Sequence, residues 1–192
     1  TEITAAYPEA EVFGKGFTLV STLNNFSVGG ATISEQGKLL TLLNGVDQIV
    51  IVRISSDGVI AFSDGVLDHA EFLFFSSAQL PQFPNSLVAY GIETQADGKV
   101  LFFGSISDSP GGFIARLNGD GTPDLSFAEN GILKLLVGDD SYVFGLELLD
   151  DGSIALGGEY SSQQFVGRKG YVAKITSQGT PDSTFGDNGV HP

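Results

Sequence analysis

The letters most suggestive of chemistry are Asn118-Gly119-Asp120-Gly121-Thr122-Pro123-Asp124. Oxygen-bearing side chains spaced around a glycine bend are what a hard cation needs, so Asn118, Asp120 and Asp124 form a calcium candidate. The loop lacks a first aspartate and a terminal glutamate, and its later counterpart carries Gln178 where Asp120 stands. Turn formation accounts for the same letters, and no cofactor beyond this calcium candidate is expected. A second set is Arg53, Arg116 and Lys174, cations recurring at one position of a repeat. They predict a repeated structural ion pair, to Asp124 or Asp182 where those exist.

Catalytic candidates are few. His69 and His191 are the only histidines. Asp68, Ser76 and Ser77 lie near His69 in sequence, but sequence adjacency is not triad geometry. The many acids could in principle supply paired carboxylates of the glycosidase kind, yet nothing singles out two of them; Glu93, Glu147 and Glu159 lie in predicted strands and could as well face solvent, and no catalytic residue is assigned. The aromatic stretch around His69 holds Phe72, Phe74, Phe75 and Pro81-Gln82-Phe83-Pro84. Phe72 and Phe74 share one strand face and read as core, whereas Phe83 between two prolines is hard to bury as strand. Phe83, Phe75 and His69 are therefore the expected interaction residues.

These residues hang on a threefold repeat. Twenty-one residues separate Gly16 from Gly37 and also Gly131 from Gly152, with a glycine 14 residues along in both cases, and Gly91 and Gly98 mark a further copy. A repeat of this length dictates architecture. Each unit reads as short strands: Ile132 to Val137, Tyr142 to Leu149, Ser153 to Tyr160 and Gly170 to Thr176 in the third. Asp151-Gly152, Asp97-Gly98 and Gln36-Gly37 suit two-residue hairpin turns. On the last strand, Val50, Phe113 and Tyr171, then Val52, Ala115 and Ala173, then Ile54, Leu117 and Ile175 share one face. Ile51, Ile114 and Val172 share the other with the three cations. Thr-Pro-Asp then starts a tight turn in two copies, and Phe127 and Phe185 anchor the link to the core. The first copy lacks Thr-Pro-Asp and runs 33 residues from Gly65 to Gly98. Insertions near Val66 to Glu71 and Ala78 to Ser86 are the expected cause, and such loops are where function is added.

The 192 residues carry 42% hydrophobic content, enough for a buried core, and 26 glycines placed between apolar runs as turns. The reading is an all-β repeat domain over 1–192. A formal net charge of −14 makes duplex nucleic acid and anionic membranes poor partners, and no apolar run approaches the ~20 residues of a membrane helix. Without cysteine there are neither disulfides nor thiolate ligands. The segment from Thr1 to Ala10 shows no signal peptide, and compartment stays open.

The stretches DGKVLFFGS with GFIARLNGDGTPDLSF, and DGSIALGGEY with GYVAKITSQGTPDSTFGDNG, resemble the delta-60 repeat, a bacterial family of β-propeller-type repeats. The resemblance covers Asp97 to Gly131 and Asp151 to Gly189 well and the first unit loosely. It implies blades of four antiparallel strands, about 13–64, 65–130 and 131–189, often in secreted or surface-associated bacterial proteins, and carries no shared catalytic residues. Three blades are fewer than the ~4 to 8 of a closed propeller. Phe13 and Phe185 hold the same phase at the two ends of the pattern, which predicts head-to-tail association into a homo-oligomer, a dimer giving six blades. The expected function is a non-enzymatic binding or scaffolding module for protein or glycan; the alternative is a hydrolase or lyase using carboxylates at a propeller centre.

Overall fold

The structure, a computed structural model, describes residues 27–45, 48–54, 61–63, 66–68, 70–76, 87–107 and 109–192, with backbone alone for 48, 54, 61–63, 66–68 and 70–76. Within them lie the strands β1 (Ser27–Ile33), β2 (Leu39–Gly45), β3 (Gln48–Ile54), β4 (Ala61–Ser63), β5 (Val66–Asp68), β6 (Ala70–Ser76) and β7 (Leu87–Thr94). There follow β8 (Val100–Ile106), β9 (Gly112–Leu117), β10 (Ile132–Leu135), β11 (Asp140–Leu148), β12 (Ile154–Ser161), β13 (Lys169–Ile175) and β14 (Val190–His191). They build three antiparallel four-stranded sheets, ordered β1-β2-β3-β6, β7-β8-β9-β10 and β11-β12-β13-β14, with β4 and β5 as a separate hairpin. The chain is all-β, and its sheets are propeller-like blades.

Pairing moves the strand phase by one. Ile132–Leu135, read from the sequence as opening the third unit, instead pairs with β9, Ile132 opposite Ala115. The reason is the linker: Asp124 N–H bonds to Arg116 O at 2.9 Å and Arg116 N–H to Gly131 O at 2.9 Å, which returns the chain alongside β9. Lys174, Asp182 and Gly189 repeat these bonds at 2.9 and 2.8 Å and bring β14 beside β13. In both linkers an asparagine next to the glycine is left-handed, Asn130 at φ 53° and Asn188 at φ 50°, a region asparagine tolerates better than most residues. The first copy differs less than its sequence suggests. Its fourth strand starts 16 residues beyond the third (54 to 70), against 15 in the other copies (117 to 132, 175 to 190). Most of the expected insertion at Val66 to Glu71 is thus strand, in β5 and β6.

The hairpins are also one residue longer than expected. Gly37, Gly98 and Gly152 donate to Ser34, Gln95 and Leu149, and the outer pairs Ser34–Lys38, Gln95–Lys99 and Leu149–Ser153 close the loops at 2.8–2.9 Å. Only the glycine of each is left-handed, which is a type I turn with a G1 bulge. Asp151 keeps ordinary φ because its carboxylate accepts the Ser153 amide at 2.9 Å and the Ser153 hydroxyl.

The core lies between sheets. Val100, Phe102 and Ile106 of β8 and Phe113, Ala115 and Leu117 of β9 face Leu40, Leu42, Ile49 and Ile51 of the first sheet. The intervening Leu101, Phe103 and Ile114 face Ile154, Leu156, Tyr171, Ala173 and Ile175 of the third. With both faces covered, each large side chain contributes about 1.5–3 kcal/mol by burial, and β8 and β9 are buried throughout. Asn44 locks the first seam: its amide donates to Ala89 O and its carbonyl accepts Ala89 N–H, each at 2.8 Å. The far face of the third sheet carries Ala155, Gly157, Val172 and Lys174, and Val172 is 50% exposed where its counterparts Ile51 and Ile114 are fully buried.

Candidate functional site: an aromatic ladder on the leading strands

The leading strands β1, β7 and β11 lie side by side, β1 against β7 and β7 against β11. Each carries a bulge at one place: pairing slips between Val28 and Gly30, Ala89 and Gly91, and Val143 and Gly145. A bulge adds an unpaired residue and re-aims its side chain. Here the extra residues are Gly29, Tyr90 and Phe144, so the second and third sheets each project a ring.

Tyr90 and Phe144 stand 5.4 Å apart between centroids at 36°, and Phe144 stacks on Tyr142 at 5.8 Å and 10°. Phe144 is nevertheless 51% exposed. Tyr90 is held by its hydroxyl, 2.7 Å from Ser105 Oγ. The Arg168 guanidinium lies 4.1 Å over the Tyr142 ring, and its Nη2 donates to Asp140 Oδ2 at 2.8 Å. Burial pushes the Asp140 carboxyl upward in pKa, but the bonds from Arg168 and the Gly111 amide outweigh it and hold the group below the usual carboxylate range. The same bond from Asp140 raises Arg168 further. The loop 162–168 is tied down by the Gln163 amide on Asp139 Oδ2 at 2.6 Å and by Phe165, set edge-on to Tyr160 at 5.4 Å under Lys169 Nζ at 4.4 Å. Such a surface offers flat apolar rings for stacking, beside a guanidinium and carboxylate able to bond hydroxyls.

The residues singled out from sequence fall elsewhere. His69 and Phe83 lie outside the described residues, and Phe75 stands in β6 opposite Ile49 by backbone pairing. Of the calcium candidates, Asn118 and Asp120 meet at the Thr122 hydroxyl, whereas Asp124 is held by cations. Asn118 Nδ2 donates to Thr122 Oγ1 at 3.0 Å, and Asp120 caps Thr122 at 3.0 and 2.7 Å. Asp124 is gripped by Arg116 Nε at 2.7 Å and Lys99 Nζ at 3.0 Å, and two cations at one carboxylate repel a third. Burial raises the Asp124 pKa, but bonds from Ser126 and Lys99 and the Arg116 charge prevail and keep it far below the ordinary range. Lys174 lies 3.4 Å from both Asp182 and Asp151. Phe127 is fully buried beneath Arg116, 4.5 Å from its guanidinium, and Phe185 is half-buried. Arg53 reaches into the second sheet, donating to Gly119 O at 2.9 Å. Among the carboxylates, Glu93 accepts from Thr32 Oγ1 at 3.2 Å, while Glu147 and Glu159 are exposed on β11 and β12. The ladder escaped sequence reasoning because its signal is a one-residue slip: Tyr90 and Phe144 each precede the glycine that marks the repeat.

Three antiparallel four-stranded sheets with a repeated leading-strand bulge define an all-β protein of propeller-like blades. Residues 95–127 and 149–185 match the family described as "Domain of unknown function (DUF5122) beta-propeller". No curated protein matches the sequence. Two solved structures of virginiamycin B lyase from Staphylococcus aureus are similar, a catalytically inactive form with quinupristin and a selenomethionine-substituted form. Both are 14% identical, with TM-scores of 0.45 and 0.44, over 88% and 87% of this chain and 60% and 59% of theirs. This chain thus spans about three fifths of those lyase chains.

Proposed function

We propose that this is a non-enzymatic binding module of the delta-60 repeat kind that receives a glycan on the Tyr90–Phe144–Tyr142 ladder. The observation that carries the reading is Phe144, a large ring left 51% exposed with Tyr142 stacked on it and Tyr90 tilted beside it. The apolar face of a sugar ring packs on the open part of this aromatic cluster and places hydroxyls beside Arg168 and Asp140. Affinity electrophoresis and glycan-array binding test the proposal. Phe144→Ala should abolish retention with unchanged thermal stability; equal retention by wild type and variant refutes it, and retention by a protein ligand alone moves the ligand class.

A second reading concerns assembly. The third sheet's far face leaves Val172 half exposed where Ile51 and Ile114 are sealed by a following sheet, which supports lateral association with a further blade from a second copy. Native mass spectrometry of wild type and Val172→Glu tests this: a wild-type dimer reduced to monomer by the substitution supports it, and a monomer in both rules it out.

A further inference from the structure

Four asparagines are followed directly by glycine: Asn44-Gly45, Asn118-Gly119, Asn130-Gly131 and Asn188-Gly189. The pair has a chemistry of its own. The glycine nitrogen can attack the carbonyl carbon of the preceding side chain, because glycine has no Cβ to hinder the approach and lets the main chain turn to meet it. The attack needs an unengaged glycine N–H and an asparagine side chain able to swing, so the fold decides which pairs react.

Three of the four are held. The Asn44 side chain is bonded at both ends, Nδ2 and Oδ1, to the buried Ala89 backbone at 2.8 Å. Gly131 N–H donates to Phe127 O and Gly189 N–H to Phe185 O, each at 2.8 Å, and both glycines are buried. Asn118-Gly119 differs on both counts. It opens a turn closed by Asn118 N–H on Thr122 O at 2.8 Å and Gly121 N–H on Asn118 O at 2.9 Å, in which the exposed Gly119 N–H has no acceptor among the described residues. The Asn118 side chain is tied through Nδ2 alone, to Thr122 Oγ1 at 3.0 Å and Pro123 O at 3.4 Å. The turn itself does not demand this pair: the third copy makes the same two backbone bonds with Thr176 and Ser177 in its place.

We propose that Asn118 is a site of spontaneous modification, converted in the folded protein to an aspartyl or isoaspartyl residue. Gly119 N gives up its proton to hydroxide and bonds to Asn118 Cγ. The Cγ–Nδ2 bond breaks, Nδ2 takes a proton from water and leaves as ammonia, and a succinimide remains. Water then opens one of the two bonds from Gly119 N: cleavage at Cγ gives aspartate, and cleavage at the Asn118 main-chain carbonyl gives isoaspartate, with nothing oxidised or reduced. Either product removes the donor to Thr122 Oγ1 and Pro123 O and adds a negative charge beside Asp120, which already takes the Thr122 hydroxyl at 2.7 Å. The isoaspartyl form also routes the main chain through Cβ and Cγ, which displaces the acceptor of the Gly121 N–H. The same turn presents Gly119 O to Arg53 Nη1 at 2.9 Å, so the modification acts where the second sheet is tied to the first.

The test keeps the full chain folded at mildly alkaline pH beside a sample unfolded in urea, and maps peptides from both by mass spectrometry over time. In the folded chain Asn118 should lose its side-chain amide several-fold faster than Asn44, Asn130 or Asn188, and in urea the four should approach one rate. Gly119→Ala adds a Cβ whose nearest neighbour is Gly98 O at 3.4 Å, an ordinary contact, and should slow the loss at Asn118 several-fold in both samples. In the isoaspartyl fraction, separated by anion exchange, the Gly121 amide should exchange hydrogen faster than in fresh protein. Retention of the Asn118 amide in the folded chain while the urea sample loses it, an equal rate at any of the other three in the folded chain, an unslowed Gly119→Ala, or unchanged Gly121 exchange would overturn the proposal.

Discussion

Removing the Asp124 carboxylate should be among the most damaging single changes in the second sheet. Arg116 is only 3% exposed, and Asp124 is its sole carboxylate partner among the described ion pairs. Breaking a buried pair from one side costs about 3–5 kcal/mol because the remaining charge is stranded. Two contacts soften the loss: Arg116 keeps its bond to Ser177 O at 2.6 Å and its place over Phe127, while Lys99 is partly exposed and can turn to water. Asp124→Ala is therefore expected near the lower bound, about 3 kcal/mol, or a fall in Tm of roughly 6–12 °C for a chain of this size. Urea melts by circular dichroism measure it, and Arg116→Met/Asp124→Ala should recover part of the loss. The pH dependence has a definite sign. Asp124 has a native pKa below its unfolded value, so its contribution is complete above the unfolded value of about 3.9 and is lost as pH falls further towards the native one. The gap between wild type and Asp124→Asn should hold from pH 7 to about 5 and narrow below about 4. A cost under about 1 kcal/mol, or a double variant no better than the single, would refute the claim that this pair is a buried structural charge.

Three further outcomes are expected. Asn44→Ala strips two bonds from the fully buried Ala89 backbone and should cost about 2 kcal/mol in urea midpoints, with no change in slope. Gly157 and Gly158 are neighbours with opposite tolerance: a Cβ at Gly157 meets open space, while one at Gly158 strikes the Tyr142 carbonyl and the Tyr171 ring. Gly157→Ala should be neutral or stabilising by up to about 1 kcal/mol, and Gly158→Ala should cost about 1–3 kcal/mol, compared by thermal melts. Burial raises the Tyr171 phenol well above the ordinary tyrosine range. Its stabilising contribution is therefore complete below about pH 10 and declines above it, and the 295 nm difference titration against Tyr171→Phe should show this ionisation only at higher pH or on unfolding.

Much of the fold was legible because its determinants are local. Alternation on β3, β9 and β13 assigned both faces from side-chain period alone, and the hairpin glycines marked every first turn. Sheet membership was not legible in the same way. Nothing in Ile132–Leu135 distinguishes the last strand of one blade from the first of the next; that choice is made by the linker bonds from Asp124 and Gly131 to Arg116. The loop of the calcium candidate shows a related limit. Asp120 and Asp124 read as equivalent oxygens in a line of letters, yet one caps its own turn and the other lies between cations from β9 and the preceding hairpin. The ladder was invisible because a bulge changes which face a residue takes without changing the residue.

The choice of cation along the repeat also bears on assembly. Arg116 serves two partners at once because its planar fork separates the donors: Nε meets Asp124 and Nη1 crosses to Ser177 O. Lysine has a single nitrogen and cannot span two such directions. At Lys174 that nitrogen is shared between Asp151 and Asp182, both of its own sheet, at 3.4 Å each. The forward stitch made by Arg53 and Arg116 is thus turned inward at the third sheet. A blade docking there would have to rely on Val172 and the small residues Ala155 and Gly157, whose open surface leaves room for a neighbour's larger side chains.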